Sequence, residues 1–234
     1  MNEIAKRLAV VRENIAAAAM RAGRGEADVR LMAVTKFVPI ERMALAVDAG
    51  VTLIGENRAQ EFTEKLTFYK QRRLEAHFIG QLQTNKVKYI CGNADLIQSV
   101  DRDALLDAIA RRAEALGIVQ PILLQVNIGN EPQKGGFAPD ALDAYVEAAL
   151  GRKSVALRGL MCVPPAGEPE SARPFFRQMR GLYERLQRAV PSVDTLSMGM
   201  SHDYPVAIEE GSTLVRVGTA IFGARTVQGG NQNG

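Results

Sequence analysis

Apolar residues recur along this chain in two alternating rhythms. Ile4, Leu8, Val11 and Ile15 fall on one helical face, so residues 2–22 predict an amphipathic helix ending near Gly23. Leu31-Met32-Ala33-Val34-Thr35-Lys36 follows as a short, mostly apolar run, the pattern of a strand buried on both faces of a parallel sheet. Pro39 then opens a helix through Ala49 that Gly50 stops. The same alternation repeats along the chain. Strands are predicted at 52–55, 77–80, 95–100, 121–127, 156–163, 195–198 and 214–217. Helices are predicted between them near 58–72, 84–90, 102–116, 139–150, 171–189 and 204–210, with a further one at 221–224. Asn57 and Gln60 resemble a capping box for the helix beginning at 58.

Eight β-then-α units in strict alternation imply a parallel sheet closed on itself, an α/β fold of the (β/α)8 or TIM-barrel class. An open doubly wound sheet seldom needs eight strands, and no GxGxxG follows the first one. The barrel takes residues 1–225 as a single domain with its N-terminal helix. Residues 226–234, rich in Gly, Gln and Asn, read as a disordered tail.

Composition narrows the function classes. The chain has 234 residues, 47% hydrophobic and 24% charged, which suits one domain with a sizeable core. A net charge of +3 is too mild to indicate a nucleic-acid or membrane surface. Cys91 and Cys162 lie far apart without CxxC spacing, so neither a disulfide framework nor a metal site is expected. Charges begin at Glu3 with no apolar h-region behind them, and no run of eighteen apolar residues occurs. A soluble cytoplasmic protein is the expectation.

The candidate chemistry lies at strand ends. Leu196-Ser197-Met198-Gly199-Met200-Ser201 and Leu214-Val215-Arg216-Val217-Gly218-Thr219 each run into a glycine beside a hydroxyl residue. Such turns bring backbone N–H groups and a side-chain donor to an anion, and the last two strands of this barrel class usually carry its phosphate site. Lys36 ends the first strand at the mouth where active sites of the fold gather. Its bland reading is a lysine escaping to solvent. Its sharp reading is an amine kept neutral by partial burial and cationic neighbours, able to form a Schiff base. Arg216 stands between valines, where an unpaired guanidinium is costly, so it either pairs with a carboxylate or faces a ligand. Arginine is one of the usual partners of the pyridine nitrogen of pyridoxal phosphate (PLP). Lys36, the two hydroxyl turns and Arg216 match an aldehyde, a phosphate and a ring nitrogen.

These residues belong to longer strings that are similar to one family. Ala33-Val34-Thr35-Lys36, Gly55-Glu56-Asn57-Arg58-Ala59-Gln60-Glu61 and His77-Phe78-Ile79-Gly80-Gln81-Leu82-Gln83-Thr84-Asn85-Lys86 are three of them. Ser197-Met198-Gly199-Met200-Ser201, Arg216-Val217-Gly218-Thr219 and Phe222-Gly223-Ala224-Arg225 complete the set. From about residue 4 to residue 225 the chain resembles the pyridoxal-phosphate homeostasis family of PLP-binding barrels. The resemblance implies a barrel like the alanine racemase N-terminal domain, with pyridoxal 5′-phosphate on Lys36. It implies a phosphate held by Ser201, Gly218 and Thr219, a ring nitrogen met by Arg216, and Asn57 and Met200 as pocket residues. It also implies a protein that binds PLP and influences vitamin B6 and amino-acid pools without robust turnover. Other B6 vitamers and apo PLP enzymes are the further partners expected, and a barrel lacking a second domain is expected to stand as a monomer. Ala76 stands where the family often has tryptophan, and Pro132-Gln133 loosens the loop before Lys134-Gly135.

Several features take blander readings. Ser201-His202-Asp203 has triad letters, but neighbours in a loop rarely face one another as a triad requires. His77 reads as a structural hydrogen-bonding residue and Glu56 as support for a helix end, with pairing to a nearby base as its alternative. Lys86 and Lys134 are able to accept the cofactor in transit but read as solvated. Arg72-Arg73 and Arg111-Arg112 read as solvated helix faces. Three rivals remain. A racemase or decarboxylase of this barrel type would need a second β-domain with a catalytic tyrosine, for which the chain is expected to have no room beyond residue 225. A phosphosugar aldolase would also use a Schiff-base lysine and a phosphate site but would be colourless. A pure scaffold would tolerate loss of Lys36 and Arg216.

Overall fold

The computed structural model describes residues 2–224. The tail expected at 226–234, and Arg225 before it, lie outside the described residues. Eight strands form a closed barrel in chain order: β1 (Arg30–Val34), β2 (Leu53–Glu56), β3 (Glu75–Phe78), β4 (Leu96–Val100), β5 (Gln120–Val126), β6 (Val155–Cys162), β7 (Thr195–Met200) and β8 (Leu214–Val217). Every neighbouring pair is parallel, including β1 with β8, where Met32 stands opposite Arg216. This is the barrel the alternation predicts.

Outside run α1 (Glu3–Arg21), α2 (Ile40–Asp48), α3 (Ala59–Gln71), α4 (Val87–Ile90), α5 (Asp103–Leu116), α6 (Leu142–Leu150), α7 (Arg173–Ala189), α8 (Tyr204–Glu209) and α9 (Thr219–Phe222). Their apolar faces and the outward residues of the strands make one continuous core between helices and sheet. In it Phe62 of α3 meets Tyr69 and Phe78 of β3 edge to face, at ring distances of 5.5 and 6.3 Å. Burying each such ring stabilises by about 1.5–3 kcal/mol. The first helix ends against the last units: Arg21 pairs with Glu209 at 2.8 Å, and Arg24 donates to the carbonyls of Ile208 and Ser212.

The lumen is filled differently. Met32, Leu53 and Leu214 form one small apolar cluster, and Leu96, Leu123 and Met161 another. Between them lie four buried polar side chains, His77, Gln98, Ser197 and Arg216. Gly159 lets β6 and β7 approach: its φ is +149°, and a Cβ there would stand 1.8 Å from the Thr195 carbonyl oxygen.

Three local expectations are corrected. Asn57 and Gln60 do not form a capping box. Arg58, with an extended backbone, holds the cap position of α3, so Asn57 lies one residue too early, and Gln60 instead donates to Glu64 at 2.8 Å. The final helix starts at Thr219 rather than 221, directly after Gly218. Pro139–Ala141, expected as the start of the helix over 139–150, is a 3-10 turn, and so is Pro169–Ala172, of which only the last two residues fall in the helix expected over 171–189.

Candidate functional site

A cavity of about 930 Å³ opens at the C-terminal ends of the strands. All seven residues predicted for the site line it: Lys36, Asn57, Met200, Ser201, Arg216, Gly218 and Thr219. Sequence reasoning missed its apolar and basic walls, Val34, Phe37, Arg42, Ile79, Val163 and Phe222. Part of the signal was present, since Val34 ends β1 and Ile79 and Val163 directly follow β3 and β6, but nothing distinguishes a mouth residue from any other residue at a strand end.

Lys36 follows β1 by two residues and is exposed, not partly buried as its sharp reading supposed. It lies past the last ladder residue, where the wide cavity leaves its side chain open to solvent. Its backbone is held firmly. Lys65 of α3 donates to the Thr35 carbonyl at 2.9 Å, and the Phe37 N–H donates to Glu61 at 2.8 Å. The peptides on both sides of Lys36 are thus tied to one helix, and Phe37 takes a left-handed φ of +60°.

Behind that turn is a charge cluster. Glu56, fully buried, accepts from Lys65 at 2.9 Å and from the Thr35 hydroxyl at 2.7 Å. Lys65 also reaches Glu61 at 3.2 Å. Glu56 therefore pairs with a base rather than supporting a helix end, because the barrel wall buries it and a buried carboxylate needs a cation. Burial raises its pKa, against the hydrogen bond from Thr35 and the charge of Lys65.

Arg216 is 4% exposed and has no carboxylate in ion-pair range among the described residues. Its Nη1 donates to the Ser197 carbonyl at 2.9 Å and hydroxyl at 2.6 Å, and its Nη2 to the Cys162 carbonyl at 2.8 Å. Three of its five N–H groups are thereby occupied, and the guanidinium also lines the cavity. Burial lowers its pKa, offset partly by Cys162 and Asp203. Of the two readings the sequence left, pairing with a carboxylate is not what the structure shows.

The two hydroxyl turns meet. The Ser201 hydroxyl accepts from the N–H of Gly218 at 3.1 Å and of Ala220 at 3.4 Å, joining the end of β7 to the first turn of α9. A Cβ on Gly218 would stand 3.3 Å from Val34 and fill the space beside that turn. Gly80 is confined more severely, since a Cβ there would sit 1.9 Å from the Asn57 carbonyl oxygen. That close approach sets Asn57 at the mouth.

Ser201, His202 and Asp203 form no triad. Asp203 accepts from the Met200 N–H at 2.6 Å, and Ser201 faces Gly218. Lys134 lies outside the cavity, donating to the Pro164 carbonyl at 2.8 Å and pairing with Glu131. Lys86 lies outside it too, over the Tyr89 ring. Arg72 pairs with Asp48 on the surface. No group of three or more His, Cys, Asp or Glu is arranged to hold a metal, and no helix is long and apolar enough to cross a membrane, among the described residues.

Known proteins are similar to this chain in sequence and in fold. The family described as alanine racemase, N-terminal domain, matches residues 7–226. The pyridoxal phosphate homeostasis protein of Aquifex aeolicus (strain VF5) is 48% identical over 222 residues, covering 94% of this chain and 97% of its own. That of Escherichia coli (strain K12) is 41% identical over 230 residues, covering 96% and 98%. The chain belongs to the pyridoxal phosphate homeostasis protein family. Among solved structures of similar proteins, PipY of Synechococcus elongatus PCC7942 with PLP bound superposes with a TM-score of 0.81 at 35% identity. That match covers 94% of this chain and all of PipY. The family assignment agrees with the resemblance carried by the strings around Lys36, His77 and Arg216.

Proposed function

We infer that this member of the family binds pyridoxal 5′-phosphate at the C-terminal mouth of its barrel and serves vitamin B6 homeostasis in the cytoplasm without robust turnover. One observation carries the reading. Arg216, buried and without a carboxylate, opens onto the same cavity as Lys36 and the joined Ser201 and Gly218-Thr219 turns. PLP supplies an aldehyde, a phosphate and a pyridine nitrogen, and the cavity offers an amine, a set of N–H and hydroxyl donors, and a cation.

Lys36 anchors the aldehyde end, on a backbone fixed from both sides by α3. Ser201, Gly218 and Thr219 hold the phosphate, where the missing Cβ of Gly218 admits an oxygen close to the backbone. Arg216 would meet the ring nitrogen. A guanidinium keeps its protons and only donates, so opposite that nitrogen it would leave it unprotonated and the bound cofactor a weak electron sink. Asn57 and Met200 complete the walls. This disposition suits holding and releasing the cofactor better than carbanion chemistry. The same phosphate turns accept other phosphorylated B6 vitamers, apo PLP enzymes are the natural recipients, and the barrel acts as a monomer.

The test is a visible spectrum of the purified protein, wild type against Lys36→Ala, followed by borohydride reduction and peptide mapping. The expected result is a yellow wild type with a reduced pyridoxyl group on Lys36 and a variant without the band. A wild type that stays colourless after addition of pyridoxal phosphate would overturn the reading.

A further inference from the structure

The four buried polar residues of the lumen are one chain. The Arg216 Nη1 donates to the Ser197 hydroxyl at 2.6 Å, and that hydroxyl donates across the barrel to Gln98 Oε1 at 2.7 Å. Gln98 Nε2 lies 2.9 Å from His77 Nδ1, and His77 Nε2 lies 2.7 Å from Glu75 Oε1. Glu75 also accepts from Arg30 at 2.5 Å. Glu75 stands at the opposite mouth, on a separate cavity of about 590 Å³ that Arg24, Arg158 and Asp194 also line.

The Gln98 amide sets the direction of the chain. A guanidinium only donates and an ionised carboxylate only accepts. Because the Gln98 oxygen accepts from Ser197, its N–H group faces His77 Nδ1, and each group between accepts on its Arg216 side and donates on its Glu75 side. Gln98 presents its oxygen to Ser197 and its nitrogen to His77, and His77 carries its proton on Nε2. Barrel lumens are ordinarily filled with branched apolar side chains. Here buried polar groups take that place, and such groups are costly unless every one is paired.

Resting on the assignment of Arg216 to the cofactor site, we propose that Ser197, Gln98, His77 and Glu75 are positioning residues for Arg216, a one-way hydrogen-bond chain that couples the cofactor cavity to the far mouth. None of Gln98, His77 and Glu75 lines the cofactor cavity, so any effect they have on the cofactor passes through the chain.

The experiment combines cofactor titration with nitrogen-15 spectra of the histidine rings. The chain has two histidines, and His202→Gln assigns the second. The wild-type His77 ring is expected as the neutral Nε2–H tautomer, and its resonances shift when pyridoxal phosphate is added. Gln98→Leu breaks the chain and raises the Kd for pyridoxal phosphate about tenfold, the equivalent of one hydrogen bond of ~1.4 kcal/mol. Gln98→Glu keeps an acceptor for Ser197 and returns the Kd to within about twofold of wild type, with His77 now protonated on both nitrogens, since it donates to a carboxylate at each end. Glu75→Gln, at the exposed end, raises the Kd about threefold by weakening the terminal acceptor. It also carries the test if Gln98→Leu fails to fold. Unchanged Kd values in Gln98→Leu and Glu75→Gln, with His77 resonances indifferent to the cofactor, would overturn the proposal. Arg216→Met separates the two readings. If it leaves the Kd unchanged, the placement of Arg216 fails. If it alone raises the Kd, only the chain fails.

Discussion

Replacing Lys65 by methionine removes a cation and keeps the length and packing of the side chain. Lys65 is 7% exposed and serves three acceptors, Glu56, Glu61 and the Thr35 carbonyl. Of these, Glu56 has no route to water. Without Lys65 its carboxylate keeps only the Thr35 hydroxyl, and breaking a buried pair from one side costs about 3–5 kcal/mol. That is a large part of the roughly 5–15 kcal/mol that keeps a domain folded. The loss depends on pH. Burial already raises the Glu56 pKa, and losing Lys65 removes one of the influences that oppose it. The folded variant then binds a proton on Glu56 more tightly than the unfolded chain does. Between the ordinary carboxylate range and the raised folded value, the folded state carries more protons, so stability falls as pH rises. Urea unfolding followed by circular dichroism should show the deficit largest near pH ~8 and smaller near pH ~5. A Glu56→Gln, Lys65→Met double variant should recover at least half of the loss, because no buried charge remains. A deficit below about 1 kcal/mol at pH ~8, with no dependence on pH, would refute the argument that Glu56 is an ionised buried group held by Lys65.

Three further outcomes are expected. Gly218→Ala should fold with a loss of about 1–3 kcal/mol, because its Cβ would stand 3.3 Å from both the Cβ and the carbonyl oxygen of Val34, a tight contact that β1 must yield to. It should nonetheless bind pyridoxal phosphate at least about tenfold more weakly, read by titrating the visible band, if the glycine admits a phosphate oxygen. Gly80→Ala should lose more than about 3 kcal/mol or fail to fold in a thermal melt, since no rotamer relieves a Cβ 1.9 Å from a backbone oxygen. Cys91 and Cys162 are buried, and burial pushes their thiols up to about 11 and about 12. A thiol reagent should therefore label neither in the native protein near neutral pH and both after unfolding.

Lys36 and Arg216 were legible in the sequence because each breaks an apolar strand pattern at a place the fold class marks as a mouth. The barrel was legible because eight strand and helix rhythms alternate without exception. The lumen chain was not. Along β3, β4 and β7 the pattern tells which face a residue takes, but His77, Gln98 and Ser197 meet across the barrel, and sequence separation carries no trace of that. Lys65 stayed hidden for a similar reason. Four residues after Glu61, it has the spacing of an exposed helix pair, and only the packed structure buries it against Glu56. The failed capping box between Asn57 and Gln60 shows the reverse case, in which a local motif yields to the strand end that positions Asn57 at the cavity.

The seam where β1 meets β8 has a consequence for how the protein matures. Lys36 leaves the first strand, while Ser201, Arg216 and Gly218 come from the last two. On the proposed assignment of these residues to pyridoxal phosphate, a chain emerging from the ribosome would present its lysine long before it could present a phosphate cradle, and the cofactor would have no site until β8 slots in beside β1. Once there, a ligand touching both sides of that seam fastens the first strand to the last. It acts as a latch on a ring, and its free concentration adds RT ln(1 + [L]/Kd) to the work of opening it. Cellular vitamin B6 status would then be written into the lifetime of the protein itself.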